Sequence, residues 1–443
     1  MTESWRDRTL ERLGLHRPEL RAWAMYDWAV TGFWAVVVVT VFPIYFQQVA
    51  AAELRPELAT QYFATATTVA LVIIAALAPF IGAVADYVAV KKRMVGFFAG
   101  MGVVSVAGMY FIHQGDWVLA AVLFIIANIG ANGSMIFYDA MLPHIARKEE
   151  VDRVSTAGFA IGYCGATVLL AACLVMILQP GLLGLPDEST LPTRLSFIAV
   201  AFWWAGFTIP LMRKVPEPPV VVEAGEVTAV QAMARAVGRL KETFRELKLY
   251  RQALVMLIAF LIYNDGIGTI IRMATIYGTE LGLERGVLVG SILVVQIVGI
   301  PCTFLFGMVA ARIGTKPSLF IGLVVYMIIS VLAYFMTTWV HFLILAFLVG
   351  TVQGGTQALS RSLFASLIPR QKAGEFFGFF AVFEKFAGIF GPAIFAAMIY
   401  LTGSSRQAIL SIIIFFVVGG ALLLLVDVEE GREVAKKAEA LRE

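Results

Sequence analysis

Long apolar stretches separated by short polar connections run along the whole chain. A membrane-spanning helix needs about 20 mostly apolar residues. Six runs of that kind occupy residues 24–47, 62–84, 94–112, 118–141, 157–178 and 195–212. After a polar interruption, six more occupy residues 254–277, 287–310, 319–336, 340–364, 374–401 and 408–426. The pattern predicts an all-α membrane protein with about twelve transmembrane helices in two six-helix halves.

The composition supports a membrane protein. Of 443 residues, 60% are hydrophobic and only 15% are charged, and the mean hydropathy is +0.83. Soluble domains carry about 25% charged residues, so the composition excludes that class. The three cysteines, Cys164, Cys173 and Cys302, all lie in apolar runs. Their positions match neither a disulfide framework nor a metal-binding spacing, and we expect no metal site.

Lysine and arginine are concentrated on alternate connections between the runs. The basic connections carry Lys91, Lys92, Arg93, Arg147, Lys148, Arg153, Arg213, Lys214, Arg312, Lys316, Arg370 and Lys372. The opposite connections hold little beyond Arg55, Arg194, Arg285 and Arg406. Because positive residues favour the cytoplasmic side of a membrane, both termini are predicted to be cytoplasmic. Residues 1–22 are polar and rich in arginine, which is not the pattern of a cleaved signal peptide.

The same features divide the chain into five parts. We expect a cytoplasmic segment at 1–22, an N-terminal bundle at 23–213, a cytoplasmic linker at 214–251, a C-terminal bundle at 252–427 and a cytoplasmic tail at 428–443. Within the linker, residues 229–249 place apolar side chains at helical spacing opposite a basic face. Such an amphipathic helix is expected to lie along the cytoplasmic membrane surface. Docking to a soluble partner is the alternative.

The seventh run carries ionisable residues at membrane depth. Asp265 and Arg272 lie within it, beside Asn264, and two glycines follow the acid closely. A charge in the hydrocarbon core is costly, so such a residue is a functional candidate by default. The alternative is a buried structural ion pair with a neighbouring helix. Asp265 with Lys385 and Arg272 with Glu384 are two such pairs, and the sequence does not choose between them.

Other polar residues fall mainly on the first, fourth, seventh and tenth runs. We take as substrate or proton candidates Asp27, Asn128, Asn132, Asn264, Asp265, Arg272, Gln353, Gln357, Glu384 and Lys385. Membrane amides also bond neighbouring helices, which is the alternative for Asn128 and Asn132. Burial disfavours the charged form of a carboxylate. Asp265 or Glu384 is therefore also a candidate carrier of a coupling proton.

A short pattern that follows the second run returns after the eighth. The first copy has a glycine, an acid and paired bases, whereas the second copy has Ala311 in place of the acid Asp86. These segments resemble the loop motif of the major facilitator superfamily, which implies a role in a cytoplasmic gate. We take as gate candidates Gly82, Asp86, Lys91, Lys92, Asp139, Gly307, Arg312, Lys316 and Arg361. The second copy is expected to lack an acidic latch of its own.

Four separated motifs resemble the autophagy-related vacuolar amino-acid effluxer family. They lie at residues 23–29, 261–266, 353–362 and 383–386, and so span both halves. The resemblance implies a major facilitator fold, in which the first, fourth, seventh and tenth helices line a central cavity. It also implies amino-acid export, as in the eukaryotic branch of that family. Because bacteria carry a branch of the family, the expected location is a bacterial inner membrane.

The leading hypothesis is a secondary active transporter that works by alternating access. The expected solute is an amino acid or a similar small zwitterion, with acids facing its ammonium and bases facing its carboxylate. A facilitator that exports drugs, sugars or lipid-like solutes is the first alternative. A transporter-like sensor or scaffold is the second alternative.

Further expectations concern cofactors and partners. The sequence has no phosphate-binding glycine loop, metal cluster or nucleophile motif, so we do not expect an enzyme. We expect no cofactor, with a proton as the candidate coupling ion. The expected partners are the small-molecule solute and membrane lipids but no nucleic acid, and we expect a monomer.

Overall fold

A computed structural model describes residues 10–87, 90–147, 149–186, 190–218, 249–280, 283, 285–386, 390–402 and 404–440. The amphipathic helix predicted at 229–249 lies outside these residues, apart from its last position. Lys148 also lies outside them. For Gly82, Asp86, Arg272 and Lys385 the backbone is helical, but their side chains are outside the described part of the structure.

Six long helices form the first half. They are α1 (Pro18–Ala50), α2 (Pro56–Tyr87), α3 (Lys91–Phe111), α4 (Trp117–Ile145), α5 (Val151–Leu178) and α6 (Leu191–Lys214). Each coincides with one predicted apolar run, and most extend beyond it by a turn or more.

The described residues of the second half form seven helical segments, and a further helix follows in the tail. They are α7 (Arg251–Glu280), α8 (Arg285–Ile313), α9 (Thr315–Tyr334), α10 (Trp339–Ser366), α11 (Ala373–Phe386), α12 (Phe390–Thr402), α13 (Ser405–Leu424) and α14 (Val428–Ala440). In the run predicted at 374–401, the described residues form α11 and α12, on either side of residues 387–389. Within the described residues, ten stretches are long and apolar enough to cross a membrane. The 32-residue α2 and the α11–α12 pair account for the other two predicted spans.

The first helix changes its winding where it approaches the centre of the protein. Residues Trp34–Thr40 and Phe46–Ala50 form π-helical turns inside α1. The first of these segments contains four consecutive valines, residues whose branched side chains crowd the preceding helical turn. Such wide turns are rare in proteins overall, and those that do occur are frequently at functional sites.

The connection between α8 and α9 consists of one residue. Gly314 follows Ile313, precedes Thr315 and has φ of +96°. This left-handed backbone strains residues that carry a Cβ atom, so glycine suits the position. The sharp turn brings the start of α9 directly beside the end of α8.

The first and last described segments of the chain lie at the same end of the bundle. Before α1, Gly14 packs so closely on α5 that an added Cβ would lie 2.8 Å from the backbone N of Val154. In the tail, a Cβ on Gly431 would lie 2.5 Å from Leu367, which follows α10. We call this end of the bundle the termini end, and the charge pattern predicts that it is cytoplasmic.

Two gate-motif lysines make equivalent contacts in the two halves. Lys92, at the start of α3, donates from Nζ to the carbonyl of Val215 beyond α6, at 3.1 Å. Lys316, at the start of α9, donates to the carbonyls of Leu424 and Val426 at the end of α13, at 2.9 and 2.7 Å. Cations at a helix C-terminus satisfy its last carbonyls and favour its dipole. These bases therefore tie the ends of helices within each half.

The internal repeat extends to buried hydroxyl pairs. Tyr26 of α1 donates to Ser134 Oγ of α4 at 2.5 Å. Tyr263 of α7 forms the matching bond with Ser360 of α10. Each tyrosine thus fixes the first helix of its half against the fourth, and these are the helices on which most polar candidates lie.

Candidate functional site

A central cavity of about 570 Å³ lies between the two halves. This volume is within the usual range for small-molecule sites, about 300–1,000 Å³. Most of its wall is apolar, and the aromatic part is Trp34, Phe159, Tyr163, Phe260, Tyr277, Phe342, Phe377 and Phe380. Phe377 and Phe380 of α11 were not among the residues predicted to line the cavity.

Charged and amide side chains interrupt the apolar wall. They are Asp27, Asn132, Asp139, Asn264, Gln296, Gln353, Gln357, Arg361 and Glu384. Eight of these nine are among the substrate, proton or gate candidates predicted from the sequence. The ninth, Gln296 of α8, has an amide oxygen with no hydrogen-bond partner. Among the described lining residues, three carboxylates therefore face one guanidinium.

Two predicted substrate candidates point away from the cavity. Asn128 donates its amide to the carbonyl of Phe124 at 2.9 Å, within its own helix. Asp265, which is 1% exposed, accepts a hydrogen bond from the backbone N of Gly391 at 2.9 Å. Gly391 belongs to α12, so this hydrogen bond links α7 to α12.

Two further predicted pairs are not decided by the geometry. The alternatives were Asp265 with Lys385 and Arg272 with Glu384. The side chains of Arg272 and Lys385 lie outside the described residues. Glu384 lines the cavity from α11.

Arg361 of α10 binds two carboxylates of the other half at the base of the cavity. Its Nη1 lies 2.9 Å from Asp139 Oδ1 of α4, and its Nη2 lies 3.6 Å from Asp27 Oδ2 of α1. Tyr138 donates to the same Oδ2 of Asp27 at 2.7 Å. Only 3% of the Arg361 side chain is exposed, against 14% for Asp139. A buried guanidinium of this kind depends on its partners, because an unpaired charge at such a site is strongly unfavourable.

Helix α5 completes the surroundings of the guanidinium. Arg361 Nε donates to Ser155 Oγ at 2.9 Å, and Nη2 donates to the Ser155 carbonyl at 3.0 Å. The ring of Phe159 lies 4.5 Å from the guanidinium carbon, and that of Trp23 lies 5.0 Å away. Aromatic faces at these distances attract a cation. We call Asp27, Tyr138, Asp139, Ser155 and Arg361 the Arg361 cluster.

The Arg361 cluster bounds the cavity toward the termini end. Its members lie near the termini end of α4, α5 and α10, and Asp27 lies nine residues into α1. From there the lining extends to Tyr277 and Phe342, which lie at the opposite ends of α7 and α10. The two halves are thus joined by charge at the termini end of the cavity.

The gate candidates other than Asp139 and Arg361 occupy different surroundings. Lys91 is buried at the start of α3, whereas Arg312 is exposed at the end of α8. Gly307 packs tightly on α5, where an added Cβ would lie 2.1 Å from Thr156 Oγ1. The side chains of Gly82 and Asp86 are outside the described part of the structure.

Sequence reasoning missed several members of this region. Ser155, Tyr138 and Asp152 were not candidates, although the first two belong to the Arg361 cluster and the third lies one turn from Ser155 on α5. One signal was present, because Tyr138 and Asp139 repeat the Tyr26-Asp27 pair of α1. Nothing in a single sequence identifies a serine as the partner of a distant arginine.

Comparisons with known proteins agree with this architecture. A family model described as "Vacuole effluxer Atg22 like" matches residues 55–436. The chain is 37% identical over 417 residues to the uncharacterized MFS-type transporter YxiO of Bacillus subtilis (strain 168), covering 94% of this chain and 96% of that protein. The chain is also 26% identical over 461 residues to Autophagy-related protein 22 of Coccidioides immitis (strain RS). That match covers 87% of this chain and 76% of that protein.

A solved structure gives the same fold. The proton:xylose symporter XylE of the major facilitator superfamily, bound to 6-bromo-6-deoxy-D-glucose, matches with a TM-score of 0.72 at 15% identity. The match covers 96% of this chain and 98% of that chain. The predicted major facilitator fold is confirmed, whereas likeness at this identity carries no substrate from one protein to the other.

Proposed function

Because this chain belongs to the Atg22-like vacuole effluxer family and is a transporter of the major facilitator type, we propose that it exports amino acids or similar small zwitterions, with protons as the coupling ion. The family relationship predicted from four sequence motifs is confirmed. The matched relatives are transporters rather than enzymes. The amino-acid substrate rests on the resemblance together with the chemistry of the cavity.

The charge of the cavity is the observation that carries this proposal. Asp27, Asp139 and Glu384 contribute three carboxylates to the described lining, and Arg361 contributes one cation. In a wall of low polarity, excess negative charge favours a solute that brings a positive group. Asp27 and Asp139 already contact Arg361. We assign the ammonium of the solute to Glu384 of α11, the third carboxylate of the described lining.

The neutral amides supply the other half of zwitterion recognition. Gln353 and Gln357 lie one turn apart on α10, and Asn264 of α7 lines the same cavity. Each amide offers two N–H donors. A solute carboxylate placed among them is hydrogen-bonded without a further buried cation. The apolar and aromatic wall then accommodates an uncharged side chain.

The coupling proton is assigned to the Arg361 cluster. Two carboxylates share one guanidinium there, so the cluster carries a net negative charge when both acids are ionised. Asp139 is the more exposed acid and also lines the cavity. A proton that enters from the cavity and neutralises Asp139 removes one of the two charged links between the halves. Proton entry and opening at the termini end are thereby connected.

Flux measurements in liposomes test the substrate assignment. Purified protein is reconstituted, and uptake of a labelled amino-acid mixture is followed with and without an imposed proton gradient. Glu384→Gln is expected to lower amino-acid flux at least tenfold, because a neutral amide gives up the charge-assisted bond to an ammonium. The matched control is Glu429→Gln, whose carboxylate is 86% exposed on the tail helix.

The outcomes separate substrate from coupling. Amino-acid flux in Glu384→Gln equal to that in the control would refute the role of Glu384. Flux that responds to the gradient in the original chain but not in Asp139→Asn would support coupling through the Arg361 cluster. Absence of any amino-acid flux, with robust flux of another solute, would overturn the substrate class itself.

A neutral polar solute such as a sugar is the second candidate. The cavity amides and aromatic rings, including Gln296 with its unpaired oxygen, suit hydroxyl groups as well as a carboxylate. Competition by sugars against the labelled amino acids, in the same liposomes, separates the two. Sugar flux that survives Glu384→Gln would favour this candidate.

Location and assembly complete the proposal. We place the protein in a bacterial inner membrane as a monomer surrounded by lipid, with the termini end in the cytoplasm, as the basic connections predict. Protease treatment of oriented vesicles, with a tag after residue 443, tests the side. Protection of the tag in inside-out vesicles would contradict this orientation.

A further inference from the structure

The first two turns of α5 insert into the second half of the protein. Asp152, Ser155 and Thr156 are spaced by three and four residues, so they share one helix face. Ser155 Oγ donates to the carbonyl of Ala358 in α10 at 2.8 Å. Thr156 packs against Gly307 of α8, as described above. This face of α5 therefore contacts the other half at several points near the termini end.

Asp152 joins two helices of the second half. One carboxylate oxygen accepts from Thr315 Oγ1 at 2.6 Å, and the other accepts from Ser362 Oγ. Thr315 is the first residue of α9, and Gly314 before it offers no side chain to cap that helix. Negative charge at a helix N-terminus is favourable, and charge-assisted hydrogen bonds are strong ones. Asp152 thus links the start of α9 and the end of α10 to the first half.

Asp152 contacts the second copy of the loop motif, which has no acid of its own. The first copy carries Asp86 at the end of α2, whereas the equivalent position in the second copy is Ala311, which is exposed at the end of α8. The connection that follows Ala311 leads within four residues to Thr315. The carboxylate bound there comes from α5 of the opposite half.

We propose that Asp152 is the latch of the second repeat copy, a positioning residue that holds the termini end closed through Thr315 and Ser362. The latch must release both hydroxyls whenever the halves separate at this end. Because Asp152 lies outside the cavity lining, it acts on the balance between closed and open forms and not on the solute. The proposal rests on alternating access in the proposed function but is independent of the substrate.

Labelling of a reporter cysteine tests the latch. Met135 lines the cavity one turn from Asp139, on the side away from the termini end. Met135→Cys is made with Cys164, Cys173 and Cys302 replaced by serine. A membrane-impermeant maleimide is then applied from each side of oriented vesicles. This assay needs no solute, so its result does not depend on the transport assay.

Loss of the latch should change maleimide labelling from the two sides of the membrane in opposite directions. With Asp152→Asn, labelling from the termini end is expected to rise about tenfold, the ratio that corresponds to one lost hydrogen bond to a charged group. Labelling from the other end should fall. Asp116→Asn is the matched control, because that acid is 43% exposed on the opposite end and bonds within its own connection.

A second variant keeps the test decisive. Thr315→Val removes one partner hydroxyl and leaves Asp152 in place, so it should produce a smaller shift in the same direction. The double variant should then shift no further than Asp152→Asn alone, since the same bond is already lost. Unchanged labelling, an equal rise from both sides or additive effects in the double variant would each overturn the latch.

Discussion

Replacing Arg361 should destabilise the protein more than replacing any exposed arginine. Arg361→Met removes the guanidinium and leaves the buried Asp27 and the partly buried Asp139 without their shared partner. It also removes the donors to Ser155 at 2.9 and 3.0 Å. Breaking a buried pair by removing one partner costs about 3–5 kcal/mol. We expect Arg361→Met to lie at the upper end of that range, because two acids lose one shared partner.

Arg361→Lys should give an intermediate loss. An ammonium retains the charge that the two carboxylates require, but it is a point donor and does not reproduce the planar fork. Asp139→Asn should be the mildest of the three changes, because it leaves Asp27 paired with Arg361. In the double variant, Asp139→Asn should recover part of the loss caused by Arg361→Met, since one unpaired charge is removed.

Thermal unfolding of the purified protein in detergent measures these differences as shifts in apparent Tm. The matched control is Arg432→Met, whose side chain is 38% exposed on the tail helix beside Glu429. Exposed ion pairs contribute at most about 1 kcal/mol, so the control should change Tm little. An Arg361→Met protein with the Tm of the control would refute the reasoning. Additive effects of Arg361→Met and Asp139→Asn would refute the coupling between the two residues.

Two glycine substitutions probe the close contacts between helices. Gly391→Ala should lower Tm, because its Cβ would lie 1.8 Å from Thr269 Oγ1; a further Thr269→Ala change should restore part of the loss. Gly307→Ala should act likewise on Thr156 Oγ1, 2.1 Å from the added Cβ, with Thr156→Ala as the compensating change. Overpacking of this kind costs about 1–3 kcal/mol. Unchanged Tm in either glycine variant would show that the contact is looser than the geometry indicates.

Helix positions were predictable because a bilayer leaves few choices. Every backbone group in the hydrocarbon region must be bonded internally, so a long apolar run becomes a helix. Contacts between distant parts of the chain were not predictable by the same reasoning. The hydrogen bond from the backbone N–H of Gly391 to Asp265 is one of them, since it joins residues far apart in the sequence.

The positions of polar residues in the sequence predicted which helices line the cavity, but not which residue each polar side chain contacts. Most amides and acids predicted for the cavity do line it, because polar side chains in a membrane protein avoid lipid and face the interior. Asp152 shows the limit. It lies in a basic connection, where an acid is unremarkable by sequence, and only the tertiary structure brings it to Thr315.

The rotation of α7 about its axis explains why Asn264 lines the cavity and the neighbouring Asp265 does not. Gly266 packs against Phe415 and Phe416 of α13, with an added Cβ only 2.9 Å from Phe415, and this contact fixes which side of α7 faces its own half. Consecutive residues on a helix point about 100° apart. With Asp265 turned toward α12, Asn264 points into the cavity.

The internal repeat already contained this distinction. Tyr26-Asp27 of α1 aligns with Tyr263-Asn264 of α7, so the residue equivalent to Asp27 is Asn264 and not Asp265. Both aligned tyrosines bond a serine on the fourth helix of their half, which gives the two helices the same rotation. Asp27 and Asn264 both line the cavity as a result. An acid that stands out by its cost in a membrane thus serves as an anchor between helices, while its neutral neighbour Asn264 lines the cavity.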